Sequence, residues 1–468
     1  MNRTLIKNTV ALVGQEVKLK GWVDTKRDHG KLTFIDLRDR TGLVQCVGFA
    51  KMGELTVESV VEITGEVKKR PEKMINPDLA TGTVEVDVKK YSVINKASEL
   101  PIQVDGDGHD IGEEARLRFR YLDLRRKRMQ NVLKLRSEYF HALRVALIEK
   151  EFVEVETPIL TKSTMEGARD FLVPSRFQPG KFYALPQSPQ QYKQLLMVAG
   201  LERYFQFPRC FRDEDLRADR GFEFTQLDLE MSFVTREDVM QTVEDVVKSA
   251  VKVVGGKLKD EKFPIFSYKE AVEKFGADKF DLRTEAEKQD GTLAFAWVIN
   301  FPFFKKVDPK DAAEVRDSKS GWTFTHNPFS MPIAEHVDWL LKGEHIDEII
   351  TTQYDLVCNG LEVGGGSIRA HTPELLKATY KIMGYSEEQV QASVGHMLEA
   401  FSYGAPPHGG IALGLDRHIA ILANETSLKE AIAFPMTSTG RTAVMDAPAI
   451  VSKEQLKELQ LQVTAKEK

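Results

Sequence analysis

Between Arg209 and Phe224 the chain packs four arginines and five carboxylates into a short length, with apolar alternation on both sides. Tyr204, Phe205 and Phe207 precede this stretch; Leu227, Leu229, Met231 and Phe233 follow it. A period of two on either side of a charged, irregular middle predicts two antiparallel strands joined by a long loop. The flanking strands are too apolar for an exposed finger, and aromatic residues are interleaved with the charges. A solvated hairpin tip is the plainer reading. The alternative is a loop whose arginines and carboxylates hold a polyphosphate and read a base edge at once.

The rest of the chain limits what could surround such a loop. A length of 468 residues predicts two or three domains. Apolar content of 42% and charged content of 29% describe an ordinary globular protein. No apolar run reaches membrane-spanning length, and Met1-Asn2-Arg3-Thr4 opens no signal-peptide core. Cys46, Cys210 and Cys358 lie far apart without metal-ligand spacing, as expected for thiols near the core in a reducing cytoplasm. A net charge of −5 argues against a uniformly basic nucleic-acid coat but leaves room for local patches.

Residues 1–97 carry about five short strand patterns with Gly-containing turns, which suits a small closed barrel of the oligonucleotide-binding kind. Arg27, Phe34, Arg38 and Gln45 lie on or beside its early strands. A basic side chain beside an aromatic can stack and contact an unpaired base, although Phe34 is equally readable as core. Residues 98–135 form a hinge that ends in a basic helix. Nine Lys/Arg and a single acid, Asp123, fall between Arg116 and Arg136. Such a run is either a solvated face or a track for a phosphate backbone. From residue 136 to 468 long helices alternate with strands, as an α+β domain requires. Tyr354–Val363 reads as one strand running into Gly364-Gly365-Gly366, and Gly409–Arg417 as a strand entering a helix.

Neither glycine cluster is a P-loop or a dinucleotide fingerprint. Glycines at Gly364–Gly366 instead allow a substrate to lie against the backbone, between Glu362 and Arg369. Asp355 and Glu362 are an odd number of residues apart, so joint metal binding requires a bulge or bend. The loop Glu166-Gly167-Ala168-Arg169-Asp170 is a surface loop or part of a site. His326 is structural or part of a site. No nucleophile–base set stands out, so covalent catalysis is not supported.

Three stretches together resemble the motifs of class II aminoacyl-tRNA synthetases. Phe152–Pro158 with its preceding helix is similar to the first, Phe211–Glu230 to the second and Gly409–Arg417 to the third. Glu166–Asp170, Gln187-Ser188-Pro189-Gln190, Lys193-Gln194, Phe224-Thr225-Gln226 with Asp228, and Gly364–Arg369 resemble the bacterial aspartyl-tRNA synthetases. The resemblance implies an anticodon-binding barrel, an antiparallel sheet flanked by helices, and a homodimer. The implied reaction joins L-aspartate to tRNA(Asp) through an aspartyl-adenylate, with ATP and Mg²⁺.

By the same resemblance Phe224 and Arg417 sandwich adenine, Glu214 reads its edge, and Arg212 grips the α-phosphate and the substrate carboxylate. Asp213, Gly414, Leu415 and Asp416 complete the nucleotide site, and Glu362 with Asp355 carries Mg²⁺. Lys193 and Arg369 receive the side-chain carboxylate. Glu166, Ser188, Gln190 and Asp228 surround the ammonium, and His326 closes the pocket. Arg27, Phe34 and Gln45 match anticodon-reading positions. His29 lies where a histidine accompanies relaxed reading, which implies use of tRNA(Asn) as well.

Three departures stand out. Gly221 replaces a glutamine that touches ATP, His326-Asn327 replaces two histidines, and the bacterial insertion between the second and third motifs is largely deleted near 284–292. An amino-acid-activating or asparagine-forming enzyme that does not use tRNA is the alternative, with no use for the barrel. A nucleic-acid-binding protein with a dead site is a third reading, opposed by the joint presence of Arg212, Glu214, Glu362, Arg369 and Arg417.

Overall fold

The computed structural model describes residues 2–164, 166–310, 314–315 and 318–464. The chain divides into two compact units, Met1–Gln103 and Val104–Lys468.

The first unit is a closed five-stranded barrel. Its strands are β1 (Glu16–Asp28), β2 (Leu32–Asp39), β3 (Gly42–Phe49), β4 (Val60–Lys69) and β5 (Val84–Asn95), paired in the order β1-β2-β3-β5-β4. Strict alternation puts Val17, Leu19, Ile35, Leu37, Ile63 and Val86 inside a shared core and polar side chains outside. A side chain at Gly21 would place its Cβ 2.2 Å from the Arg38 carbonyl oxygen, so glycine is what lets β1 lie this close to β2.

The second unit is built on a nine-stranded sheet. Eight strands run in the order Ile265–Ser267, Phe295–Ile299, Tyr354–Cys358, Leu361–Ile368, His408–Gly414, Glu223–Ser232, Arg203–Gln206 and Val153–Glu154. The ninth, Arg209–Phe211, pairs with Glu223–Ser232. Only the pair at each edge is parallel. Leu227, Leu229 and Met231 turn one face of Glu223–Ser232 toward a core shared with helices Lys127–Glu149 and Arg236–Val253. A Thr235/Asp238 capping box starts the second of these helices. Gln226, Asp228 and Glu230 alternate onto the opposite face, and Gln226 and Asp228 line a pocket there.

Two expectations need correcting. Tyr354–Val363 is not one strand but a hairpin that turns at Asn359-Gly360, both with positive φ. The strongly basic stretch is largely neutralised from within rather than a uniformly solvated or phosphate-tracking face. It forms three helices, Glu113–Arg118, Arg120–Asp123 and Lys127–Glu149; Arg116, Arg120 and Arg126 are buried, while Arg118, Lys127 and Lys134 are exposed. Arg120 and Arg126 both pair with Asp123 at 2.7 Å, Arg116 and Arg128 pair with Glu430, and Arg136 pairs with Asp416 at 2.6 Å. Among the described residues no helix is long and apolar enough to cross a membrane.

Candidate active site

The charged stretch is the expected hairpin. Arg209, Cys210 and Phe211 pair with Thr225, Phe224 and Glu223, and the Arg212 amide donates to the Phe222 carbonyl at 2.8 Å. The tip closes on itself through an Arg217–Arg220 bridge. It overhangs a cleft of about 390 Å³ lined by Arg212, Glu214, Phe224, Glu362, Gly414 and Arg417 among others. The Arg212 guanidinium lies 5.0 Å from the centre of the Phe224 ring. Glu214 pairs with Arg220 at 2.9 Å. Arg417 donates to the Glu362 carbonyl at 2.7 Å and reaches Asp219 at 3.4 Å.

Asp416 is buried, accepting from Arg136 and from the Thr225 amide at 3.1 Å, so it ties the hairpin strand to the helix behind it. The Leu415 side chain is fully buried in the core and forms no part of the cleft wall. Asp213 lies beside Arg169 at 3.6 Å and does not line the cleft.

A second pocket, about 190 Å³, continues from the cleft. On its floor four charged side chains are almost completely buried. Glu230 accepts two bonds from Arg369, at 2.8 and 3.1 Å, and lies 3.1 Å from Lys193; Lys193 also meets Asp228 at 2.7 Å. Arg369 is fixed further by Ser367 Oγ at 2.8 Å and the Gly410 carbonyl at 3.0 Å. Two cations facing two carboxylates make burial tolerable. Burial works against the charge on Glu230, but Arg369 and Lys193 outweigh it and hold the carboxyl down to about 2. For Asp228 burial wins over Lys193 and the carboxyl is raised. Gly410 makes room for this arrangement, because a Cβ there would stand 2.1 Å from Glu230 Oε2.

Around the same pocket Glu166 Oε1, Asp228 Oδ2 and Gln353 Oε1 are buried acceptors that find no hydrogen-bond donor among the described residues. Ser188 donates to the other Glu166 oxygen. Gln190 is held by Gln194, and Gln194 by His408, whose Nδ1 faces the Pro406 carbonyl at 2.7 Å. That places the His408 proton on Nδ1 and leaves Nε2 to accept.

Asp355 and Glu362 reach one side of the sheet by a bulge. Asp355 pairs with Gly365, yet one residue extra on the second strand sets Glu362 opposite Val357. A Cβ on Gly365 would lie 3.0 Å from Asp355 Oδ1 and 3.6 Å from Glu362 Oε1, so both carboxylates hang over the same glycine. Asp355 contacts His326 at 3.2 Å and Gln353 at 2.7 Å, while Glu362 pairs with Lys279 at 2.8 Å. Burial and the Glu362 charge raise Asp355; for Glu362, Lys279 and Arg417 overcome burial and lower it. His326 is raised, because Asp355 outweighs the effect of burial, and its ring stands 4.7 Å from that of Phe301. Among the described residues no group of three or more His, Cys, Asp or Glu could hold a metal by itself. Two carboxylates at the edge of this cleft are still a donor set that would suit Mg²⁺, a cation commonly held by one or two protein carboxylates.

On the barrel Arg27 and Phe34 share the outer surface. Arg27 lies 3.2 Å from both Asp36 and Gln45, and His29 meets Phe34 edge-on at 5.3 Å. Phe34 is half-buried on this surface rather than in the core. Glu230, Gln353 and Lys279 carried no expected role. For Glu230 the signal was present: it continues the alternation Gln226, Asp228 opposite the apolar run Leu227, Leu229, Met231.

The antiparallel sheet with its charged hairpin and cleft, together with the closed five-stranded barrel, defines the class of the protein. The chain belongs to the class II tRNA synthetases of the D, K and N group: residues 112–438 match that family and 17–94 match the OB-fold nucleic acid binding domain. Among its relatives are the aspartate–tRNA(Asp/Asn) ligases of Phenylobacterium zucineum and Moorella thermoacetica, each 38% identical. The alignments cover 96% of this chain and 96% of the first relative, and 98% and 96% for the second. They extend over 581 and 578 residues, longer than the 468 of this chain, as they must where relatives carry a segment this chain lacks. Asparaginyl-tRNA synthetase from Pyrococcus horikoshii, complexed with asparaginyl-adenylate, shares the fold at TM-score 0.73 and 24% identity, over 93% of this chain and 98% of that one. Aspartyl-tRNA synthetase from Entamoeba histolytica does so at 0.70 and 22%, over 93% and 91%.

Proposed function

We propose that this protein activates L-aspartate with ATP to aspartyl-adenylate and transfers it to the 3′ end of tRNA(Asp) and of tRNA(Asn). The observation that carries the amino-acid choice is the buried set Lys193, Asp228, Glu230 and Arg369 beside three acceptors unpartnered among the described residues. Arg369 and Lys193, held in place by Glu230, present donors to a side-chain carboxylate; an amide offers no charge to them and one acceptor fewer. Glu166, Asp228 and Gln353 present acceptors to the three donors of the substrate ammonium. The α-carboxylate is already a nucleophile, so no side chain needs to remove a proton. Arg212 stands where charge builds on the α-phosphorus, with Phe224 beneath the adenine and Arg417 above it. Mg²⁺, held by Glu362 and Asp355, would neutralise polyphosphate charge.

Arg27, His29, Phe34 and Gln45 offer stacking and hydrogen bonding to an unpaired anticodon on the 1–97 barrel. Pairing of two copies is supported by apolar side chains left exposed around the first motif: Ile148, Val153, Ile159 and Leu160.

Aspartate-dependent ATP–pyrophosphate exchange, measured with and without tRNA, tests the first step. Charging of separately prepared tRNA(Asp) and tRNA(Asn) tests the second. Exchange is expected with aspartate and not asparagine, and charging with both tRNAs. Absence of exchange overturns the proposal, and charging of tRNA(Asp) alone overturns its tRNA(Asn) part.

A further inference from the structure

Lys279 lies outside the three motifs, yet it supplies the sole cation within ion-pair distance of the Glu362 carboxylate among the described residues. Its backbone is firmly placed. The neighbouring Phe280 is buried and stacks on Phe275 at 4.1 Å, and its carbonyl accepts from the Gly360 amide at 3.0 Å. Gly360 belongs to the turn between Tyr354–Cys358 and Leu361–Ile368, the strands that carry Asp355 and Glu362. Lys279 and Glu362 therefore stand on one rigid block, while the lysine side chain is 46% exposed on a flexible stem at the cleft wall.

Lys279 holds Glu362 Oε2, while Oε1 faces Asp355 across Gly365. A divalent cation bound to Glu362 at about 2.0–2.1 Å would stand within a few ångström of the ammonium, and the two like charges repel across the one carboxylate. We propose that Lys279 is an exchangeable counter-ion: it neutralises Glu362 while the cleft is empty and passes to the nucleotide polyphosphate when the divalent cation takes the carboxylate. The cleft then never holds an unopposed Glu362, and the lysine gives the outgoing pyrophosphate a second cation besides the metal. This inference rests on the proposed ATP-dependent activity of the same site.

The test uses full-length protein and the variants Lys279→Met and Lys279→Arg, with thermal melting to check folding. Manganese alone is titrated by electron paramagnetic resonance, and a non-hydrolysable ATP analogue in EDTA by calorimetry. Lys279→Met is expected to bind manganese roughly tenfold more tightly and the metal-free analogue roughly tenfold more weakly, with Lys279→Arg near wild type. A folded Lys279→Met in which either affinity is unchanged overturns the inference. Both measurements are equilibrium titrations, so a wild-type protein lacking aspartate-dependent exchange would sink the proposed activity while leaving the counter-ion result readable.

Discussion

Replacing Glu230 with glutamine would leave Arg369 and Lys193 sharing one buried carboxylate, Asp228. The expected cost is about 3 kcal/mol or more of folding stability, read from urea denaturation, together with a large rise in the KM for aspartate. The acid limb of the stability curve should change as well. Glu230 is held down to about 2 from an ordinary 4.5, so its contribution is fully present above 4.5 and is lost as pH falls toward 2. In Glu230→Gln that part of the slope between pH 4.5 and 2 should vanish. At this scale the sequence was informative where a residue belongs to a recognisable string, as Lys193 and Arg369 do. It was silent on Lys279 and Gln353, because what makes them noteworthy is a partner 83 residues away in one case and an unpartnered oxygen in the other. Leu415 shows the converse. It lies inside a recognisable motif, yet its helical position turns the side chain into the core.

The alternation around the charged stretch foretold its two strands and the loop between them, because period-two patterning with one buried face fixes strand and register together. The inward pairing of the basic helices was not foreseen, for a physical reason. Charge sign is visible in sequence, but the carboxylates that absorb it, Glu425 and Glu430, lie some three hundred residues further on. Asp123 sits between Arg120 and Arg126 with no exposure of its side chain. Asp123→Asn should lower stability by about 3–5 kcal/mol in urea denaturation, since two guanidinium groups lose their common partner. The bulge in Leu361–Ile368 makes a different prediction. Val363→Ile should leave exchange nearly intact, because the backbone path persists.

Each unit has its own apolar core, and the sequence showed both, one through short strands and glycine turns, the other through helices among strands. A chain beginning at Val104 should retain aspartate-dependent exchange and lose most of its charging rate at limiting tRNA, measured side by side with the full chain. Between Arg283 and Phe295 the second unit needs only one five-residue helix, Glu285–Gln289, capped by Thr284 and Glu287 and leading to Gly291 with positive φ. Most of this helix is exposed. Relatives align over more than a hundred residues beyond the length of this chain. The short, exposed crossing offers a socket: a position where a foreign folded module, such as a fluorescent protein, could be spliced between Asp290 and Gly291. Exchange activity is expected to survive that graft, which would turn this scaffold into a carrier for cargo of choice.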